Sequence, residues 1–231
     1  MRRGPTVGRG RRVIALTTFL VALALAGCGA PPGASPLATA TPGASAIPSG
    51  PAPSPTPLPP GSFTFDLPPG WAAVPVAGSH DGLLATLRSQ NAAFAESLAA
   101  RLENLSDTTT YVAFDASPAA VTKGDLATLV VTEVALPLDV SLQTFAGTIR
   151  GQVRQLVEGD VELREILVTA GQAYSMAYTA PVTRPDGQPA AAAVTQVLYV
   201  LPGRGYVITF AVPPARANDY SQVVADIATS F

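Results

Sequence analysis

The chain has 231 residues, with one cysteine, one histidine, 23 prolines, 20 glycines and a formal net charge of −2. One histidine and one cysteine exclude a three-histidine or four-cysteine metal site within the chain, and any internal disulfide. Arg2, Arg3, Arg9, Arg11 and Arg12 all lie in the first 12 residues, with no acid among them. Without those five, 9 basic residues face 16 acids, a net charge of −7. Such a surface suits neither a phosphate backbone nor anionic lipid, so no nucleic-acid partner is expected.

The arginine-rich start is followed by an apolar run from Val13 to Ala26, interrupted only by Thr17 and Thr18. Its length fits the hydrophobic region of an export signal and is short for a membrane span. Leu25, Ala26, Gly27 and Cys28 close it as L-A-G-C. This stretch resembles the lipobox of bacterial lipoproteins. The resemblance implies cleavage before Cys28 and attachment of diacylglycerol to its thiol. Residues 1–27 are then the signal peptide, with Leu25, Ala26 and Gly27 as the peptidase motif and Cys28 as the lipidation site. An uncleaved anchor is the alternative, and the Pro/Ser/Ala tract directly after Cys28 speaks against it. Arg11-Arg12 is only a partial twin-arginine pattern, which favours the general secretory route. Two or more acyl chains hold a protein firmly at a membrane, so membrane lipid is the first expected partner. The implied address is the outer face of the bacterial cell membrane, or an outer membrane where the organism has one.

Gly29–Gly61 carries no charge and no aromatic residue, and holds 11 prolines. It cannot repay its ordering entropy by burial. With Cys28 it forms a disordered tether, residues 28–61, that reaches at most roughly 100 Å when extended as polyproline. A PxxP ligand is the alternative reading, but no flanking Lys or Arg orients it.

Residues 62–231 remain for one domain. Phe63–Leu67 alternates apolar and polar, predicting a first strand, which Pro68-Pro69-Gly70 breaks ahead of Trp71. Trp71 is expected to plug the core by locking that strand against a helix. Leu84, Leu87, Asn91, Phe94, Leu98, Leu102 and Leu105 recur at three and four, the stripe of one helix starting near His80 or Asp81. Thr110–Ala116 reads as a strand, with Tyr111, Ala113 and Asp115 on one face and Val112 and Phe114 on the other. Leu126–Val134 is a stronger strand. Leu142, Phe145, Ile149, Val153 and Leu156 mark a second helix, capped by Asp139 or Ser141 and ended at Gly159. Val161–Val168 and Gln172–Thr179 are extended, and Arg184–Gly187 has turn chemistry. Val194–Leu201 and Arg204–Val212 predict a hairpin across Pro202-Gly203. Tyr220, Val223, Val224, Ile227 and Phe231 mark a terminal helix with Asn218 as cap. The fold class is α+β, a largely antiparallel β-sheet flanked by helices.

The opening FTFDLPPGWAAVP, the strand YVITFAVP and the close DYSQVVADIATSF resemble the PsbP/Mog1-like family. The matching positions are Phe63, Phe65, Pro68, Gly70, Trp71, Ile208, Phe210, Ser230 and Phe231, at the two ends of the domain. The resemblance implies an antiparallel sheet sandwiched by helices. Members include extrinsic photosystem subunits, a GTPase-binding protein and bacterial lipoproteins, so the fold selects no one function.

Reactive constellations are sparse. Ser79-His80-Asp81 cannot form a triad, because consecutive side chains diverge. Glu158, Asp160, Glu162 and Glu165 form the densest acidic stretch, but no EF-hand spacing accompanies them and a solvated turn is expected. Gly203-Arg204-Gly205 lies between strands, with no helix following to bind phosphate. Tyr111, Tyr174, Tyr178, Tyr199 and Tyr206 could line a groove, or could pack with their hydroxyls at the rim. No cofactor is expected. The leading functional expectation is a non-catalytic binding or accessory domain for an envelope component, with an envelope protein as partner. A hydrolase using carboxylate or hydroxyl side chains and a solute-binding lipoprotein are the alternatives.

Overall fold

The computed structural model describes residues 66–184 and 188–230. The signal, Cys28 with its L-A-G-C motif, the tether, Phe63–Phe65 of the expected first strand, residues 185–187 of the expected turn and Phe231 lie outside the described residues.

The chain proceeds as β1 (Trp71–Val74), α1 (Asp81–Gln90), α2 (Ala92–Glu103), β2 (Thr109–Asp115), α3 (Pro118–Lys123), β3 (Thr128–Ala135) and α4 (Leu142–Leu156). There follow β4 (Arg164–Val168), β5 (Gly171–Thr183), β6 (Pro189–Leu201), β7 (Arg204–Val212), a 3₁₀ turn (Pro214–Arg216) and α5 (Ala217–Ser230). The strands form one sheet in the order β1-β2-β3-β7-β6-β5-β4. Every neighbouring pair is antiparallel. This is the α+β architecture expected from the sequence, and it has the helix-flanked layering that the PsbP/Mog1-like resemblance implied.

Strand alternation divides the core between two faces. Ala113, Leu129, Val131, Val197, Ile208 and Phe210 point to one face, where Ile227 and Ala228 of α5 cover them. Their neighbours Val112 and Phe114 point the other way, under Phe94 and Leu98 of α2. Leu198 and Val207 join Met176 on that same side, beneath Phe145, Ile149 and Val153 of α4. The sheet is therefore sandwiched by α5 on one side and by α1, α2 and α4 on the other.

Several boundaries differ from the sequence reading. The single long helix expected through Leu84–Leu105 is two helices. Asn91 sits between them in extended backbone, with φ −152° and ψ 106°. Its N–H closes α1 on the Leu87 carbonyl at 2.8 Å. Its side-chain oxygen caps α2 by accepting from the Phe94 N–H at 3.1 Å. Its amide then donates to the Val121 carbonyl of α3 at 2.7 Å. One polar residue thus fixes three helices. Helix α3 itself was not expected. Ser117 caps it, Pro118 opens it, and Gly124 ends it at φ 74°, a backbone conformation that favours glycine. Of the two expected caps for α4, Ser141 holds the position. The helix ends at Leu156, with Val157 as its C-cap, ahead of Gly159. Asn218 lies inside α5, which the preceding 3₁₀ turn feeds directly.

Candidate functional site

The concave feature of interest lies along one flank of α5, over the sheet. It is an open groove of about 360 Å³, within the range of ligand sites. Strand alternation supplies the floor: Ser175 of β5, Thr195 and Val197 of β6, and Phe210 and Val212 of β7. Helical spacing supplies the wall, with Ala217, Ser221, Val224, Ala225 and Ala228 of α5 at intervals of three and four. Ile166 of β4 and Thr229 line it as well. Small residues explain the space. Alanines on α5 face Ala193 and Thr195 of the sheet, so helix and sheet leave an unfilled strip between them. The lining is apolar, with hydroxyls from Ser175, Thr195, Ser221 and Thr229. It carries no carboxylate, imidazole or amine, so it can hold an apolar surface and offer hydroxyl hydrogen bonds.

The helix that walls the groove is fixed at both ends. At its start, the Tyr220 hydroxyl donates to the carboxylate of Asp115 at 2.7 Å. Asp115 is 9% exposed and also accepts from the Ser117 N–H at 2.8 Å. Arg216 pairs with Asp125 and Asp219, and its guanidinium lies 5.5 Å from the centre of the Tyr220 ring. These partners hold the Arg216 pKa above its ordinary value. Burial, followed by the hydrogen bond to Asp115, raises the Tyr220 pKa. At the other end, the Thr169 N–H donates to the Thr229 carbonyl at 3.1 Å. The Asp66 N–H reaches Ser230 Oγ at 3.3 Å. Trp71, half-buried, stands edge-on to Tyr220 and joins the clusters on the α5 face. This corrects two expectations: Asp66 and Leu67 of the expected first strand are not in a strand, so Trp71 opens β1 itself, and it joins that strand to α5 from the margin of the core rather than as its plug.

The other residues singled out from the sequence do not converge. His80 Nε2 donates to the Pro75 carbonyl at 2.7 Å at the start of α1. Ser79 Oγ donates to Asp81 at 2.7 Å, beside the ring and not through it. Of the acidic stretch, Asp160 pairs with Arg150 at 3.1 Å and Glu162 with Arg164 at 3.2 Å. Glu165 accepts from Gln172 at 3.0 Å. Among the described residues, no group of three or more potential ligands could hold a metal ion. The five tyrosines do not share a groove. Tyr174 and Tyr178 pack under α4, whereas Tyr111, Tyr199 and Tyr206 lie on the α5 side. Burial raises the Tyr178 pKa.

Of the residues that make the groove, the sequence reading named Phe210 and Val224, for the fold alone, and singled out none as a site. The available signal was the run of small residues Ala217, Ser221, Ala225, Ala228 on one flank of the terminal helix.

No protein-family model and no curated protein matches the chain. Among solved structures, it is similar to cyanobacterial PsbP from Synechocystis, at 15% identity and a TM-score of 0.43, covering 72% of this chain and 83% of that one. It is also similar to LpqN of Mycobacterium tuberculosis, a protein involved in cell envelope biogenesis, at 12% identity and a TM-score of 0.42. That match covers 71% of this chain and 79% of LpqN. Among the described residues, no helix is long and apolar enough to cross a membrane.

Proposed function

We propose that the chain is a lipoprotein on the outer face of the bacterial cell membrane, with a non-catalytic binding or accessory domain for an envelope component. Cleavage after Gly27 exposes Cys28, its thiol carries the lipid, and residues 28–61 let the domain stand off the bilayer. The observation that carries the binding role is the groove along α5. It is concave, apolar and edged by hydroxyls, and both ends of its helical wall are hydrogen-bonded in place. Such a surface recognises an apolar segment of a partner protein and orients it by hydroxyl contacts. No observation favours the hydrolase reading: the buried carboxylate of Asp115 is engaged by the Tyr220 hydroxyl and the Ser117 N–H, and Asp160 and Glu162 pair with arginines. The test is photo-crosslinking in intact cells from a reactive residue placed at Ser221, on the rim of the groove. The same residue placed at Gln155, on the exposed side of α4, serves as control. A discrete adduct from Ser221 alone supports the reading. Equal labelling from both positions, or none from either, contradicts it.

A further inference from the structure

Strand β4 covers only the first part of β5. Arg164–Val168 pairs with Ser175–Gly171, while β5 runs on to Thr183. From Met176 to Thr183 one side of β5 pairs with β6, and no strand among the described residues lies on the other. This open lane reads MAYTAPVT and contains no charge. Natural edges are shielded by shortness, charge or proline. The sheet's other margins follow that rule: β1 has four residues, and β4 is short and displays Arg164 and Glu165. The open part of β5 is long and has Pro181 alone.

The direction of its backbone groups follows from one bond. The Arg184 N–H donates to the Gln188 carbonyl at 2.9 Å, so even-numbered positions of β5 face β6. Odd-numbered positions face outward. Ala177, Thr179 and Thr183 therefore present both N–H and C=O to the open lane, and Pro181 presents C=O. The missing N–H of Pro181 falls on the open side, where it leaves the internal ladder intact. The lane closes beside Ser175, where Arg164 occupies the neighbouring position. Seven residues, Ala177–Thr183, have no strand beside them on that side among the described residues, and Ala180 is their midpoint.

We propose that a second copy of this chain pairs with that lane, antiparallel, about a two-fold axis beside Ala180. Antiparallel self-pairing is the one arrangement in which the same stretch serves both partners. Centred on Ala180, it sets Ala177 opposite Thr183 and Thr179 opposite Pro181. Ala177 and Thr183 exchange two hydrogen bonds, and each Thr179 N–H donates to the Pro181 carbonyl of the other copy. The overlap ends where β4 begins, so the lane fits this register without displacing a strand. No like charges meet within the seven residues, which carry none, although Arg184 of each copy comes near Arg164 of the other at the ends of the overlap. The small side chain of Ala180 suits the close approach at the axis. On the α5 side, the exposed Ala177, Thr179 and Pro181 become covered. The two sheets join into one, and each groove is left open.

The test is sedimentation velocity of the detergent-solubilised full chain over a concentration series, corrected for bound detergent. The wild type is expected to pass from monomer to dimer. Thr179→Pro removes an outward N–H that no strand among the described residues pairs with. It should weaken dimerisation roughly 10- to 100-fold with an unchanged circular dichroism spectrum. Should that variant misfold, Thr179→Lys places a charge at the same exposed position and should have the same effect. Pro181→Thr restores the missing donor and should tighten the dimer. A wild type that stays monomeric overturns the proposal, and so does a dimer indifferent to residue 179. A different protein held at this edge by a monomeric wild type would also overturn it.

Discussion

Trp71 and Tyr220 meet edge to face, with ring centroids 6.4 Å apart and planes at 81°. The contact joins the first strand to the first turn of the last helix, so the two ends of the described chain brace one another. Edge-to-face aromatic pairs add about 0.5–1.5 kcal/mol beyond the area they bury. Trp71→Ala should destabilise the domain by about 2–3 kcal/mol, below the range for a fully buried tryptophan. Chemical denaturation measures this. As Trp71 is the sole tryptophan, its emission should be moderately blue-shifted and partly quenched by iodide. Emission like that of free indole would place it away from Tyr220.

Tyr220 also carries a pH dependence. Its pKa is raised in the fold, so the folded state holds the phenolic proton more tightly than the unfolded chain does. The resulting stabilisation is fully present below the ordinary tyrosine pKa of about 10, and is lost as pH rises through the higher folded value. Thermal melts above pH 10 should show falling stability. Tyr220→Phe should cost about 1–2 kcal/mol at neutral pH, because buried Asp115 loses a donor. It should also flatten the alkaline fall in part, since Tyr111 and Tyr178 have raised pKa values as well. An identical alkaline slope in both proteins would remove Tyr220 from the account.

Asn91→Ala should cost about 1–2 kcal/mol, because it removes the cap of α2 and the donor to Val121 together. Asn91→Asp keeps the cap and loses only the donated bond, so denaturation should place it between the other two proteins. Equal stability of all three would show that the break between α1 and α2 does not depend on this side chain.

Asn91 also shows where the sequence was legible and where it was not. Apolar spacing of three and four runs unbroken across it, so one helix was the natural reading. At the break Asn91 donates to Val121, 30 residues away, a contact that periodicity cannot register. Strands β2, β3, β6 and β7 were legible because their alternation matches burial on two faces. Val112 and Phe114 go to one side and Ala113 to the other. Helix α3 had a readable signature, Ser117 before it, Pro118 at its first position and Gly124 after it, but no room for a periodic stripe. The groove was not legible. It arises from the offset between α5 and the sheet, and alanines at 193, 217, 225 and 228 look alike whether packed tightly or leaving space.

Cys28→Ser should abolish lipidation. Mass spectrometry of the membrane-extracted wild type should show a mature chain beginning at Cys28 with a diacylglycerol adduct. The variant should lack the adduct and leave the membrane fraction or remain unprocessed. Equal mass and partition of the two would defeat the lipoprotein reading.

The binding role is tested most directly by filling the groove. Ala225 lines it from an exposed position on α5, so Ala225→Trp should occupy the space without disturbing the core. The measurement is the yield of adduct from the Ser221 crosslinker in intact cells, with and without that substitution, at matched melting temperature. The account predicts loss of most of the adduct in the filled protein. An undiminished yield would contradict it and move the binding role away from α5.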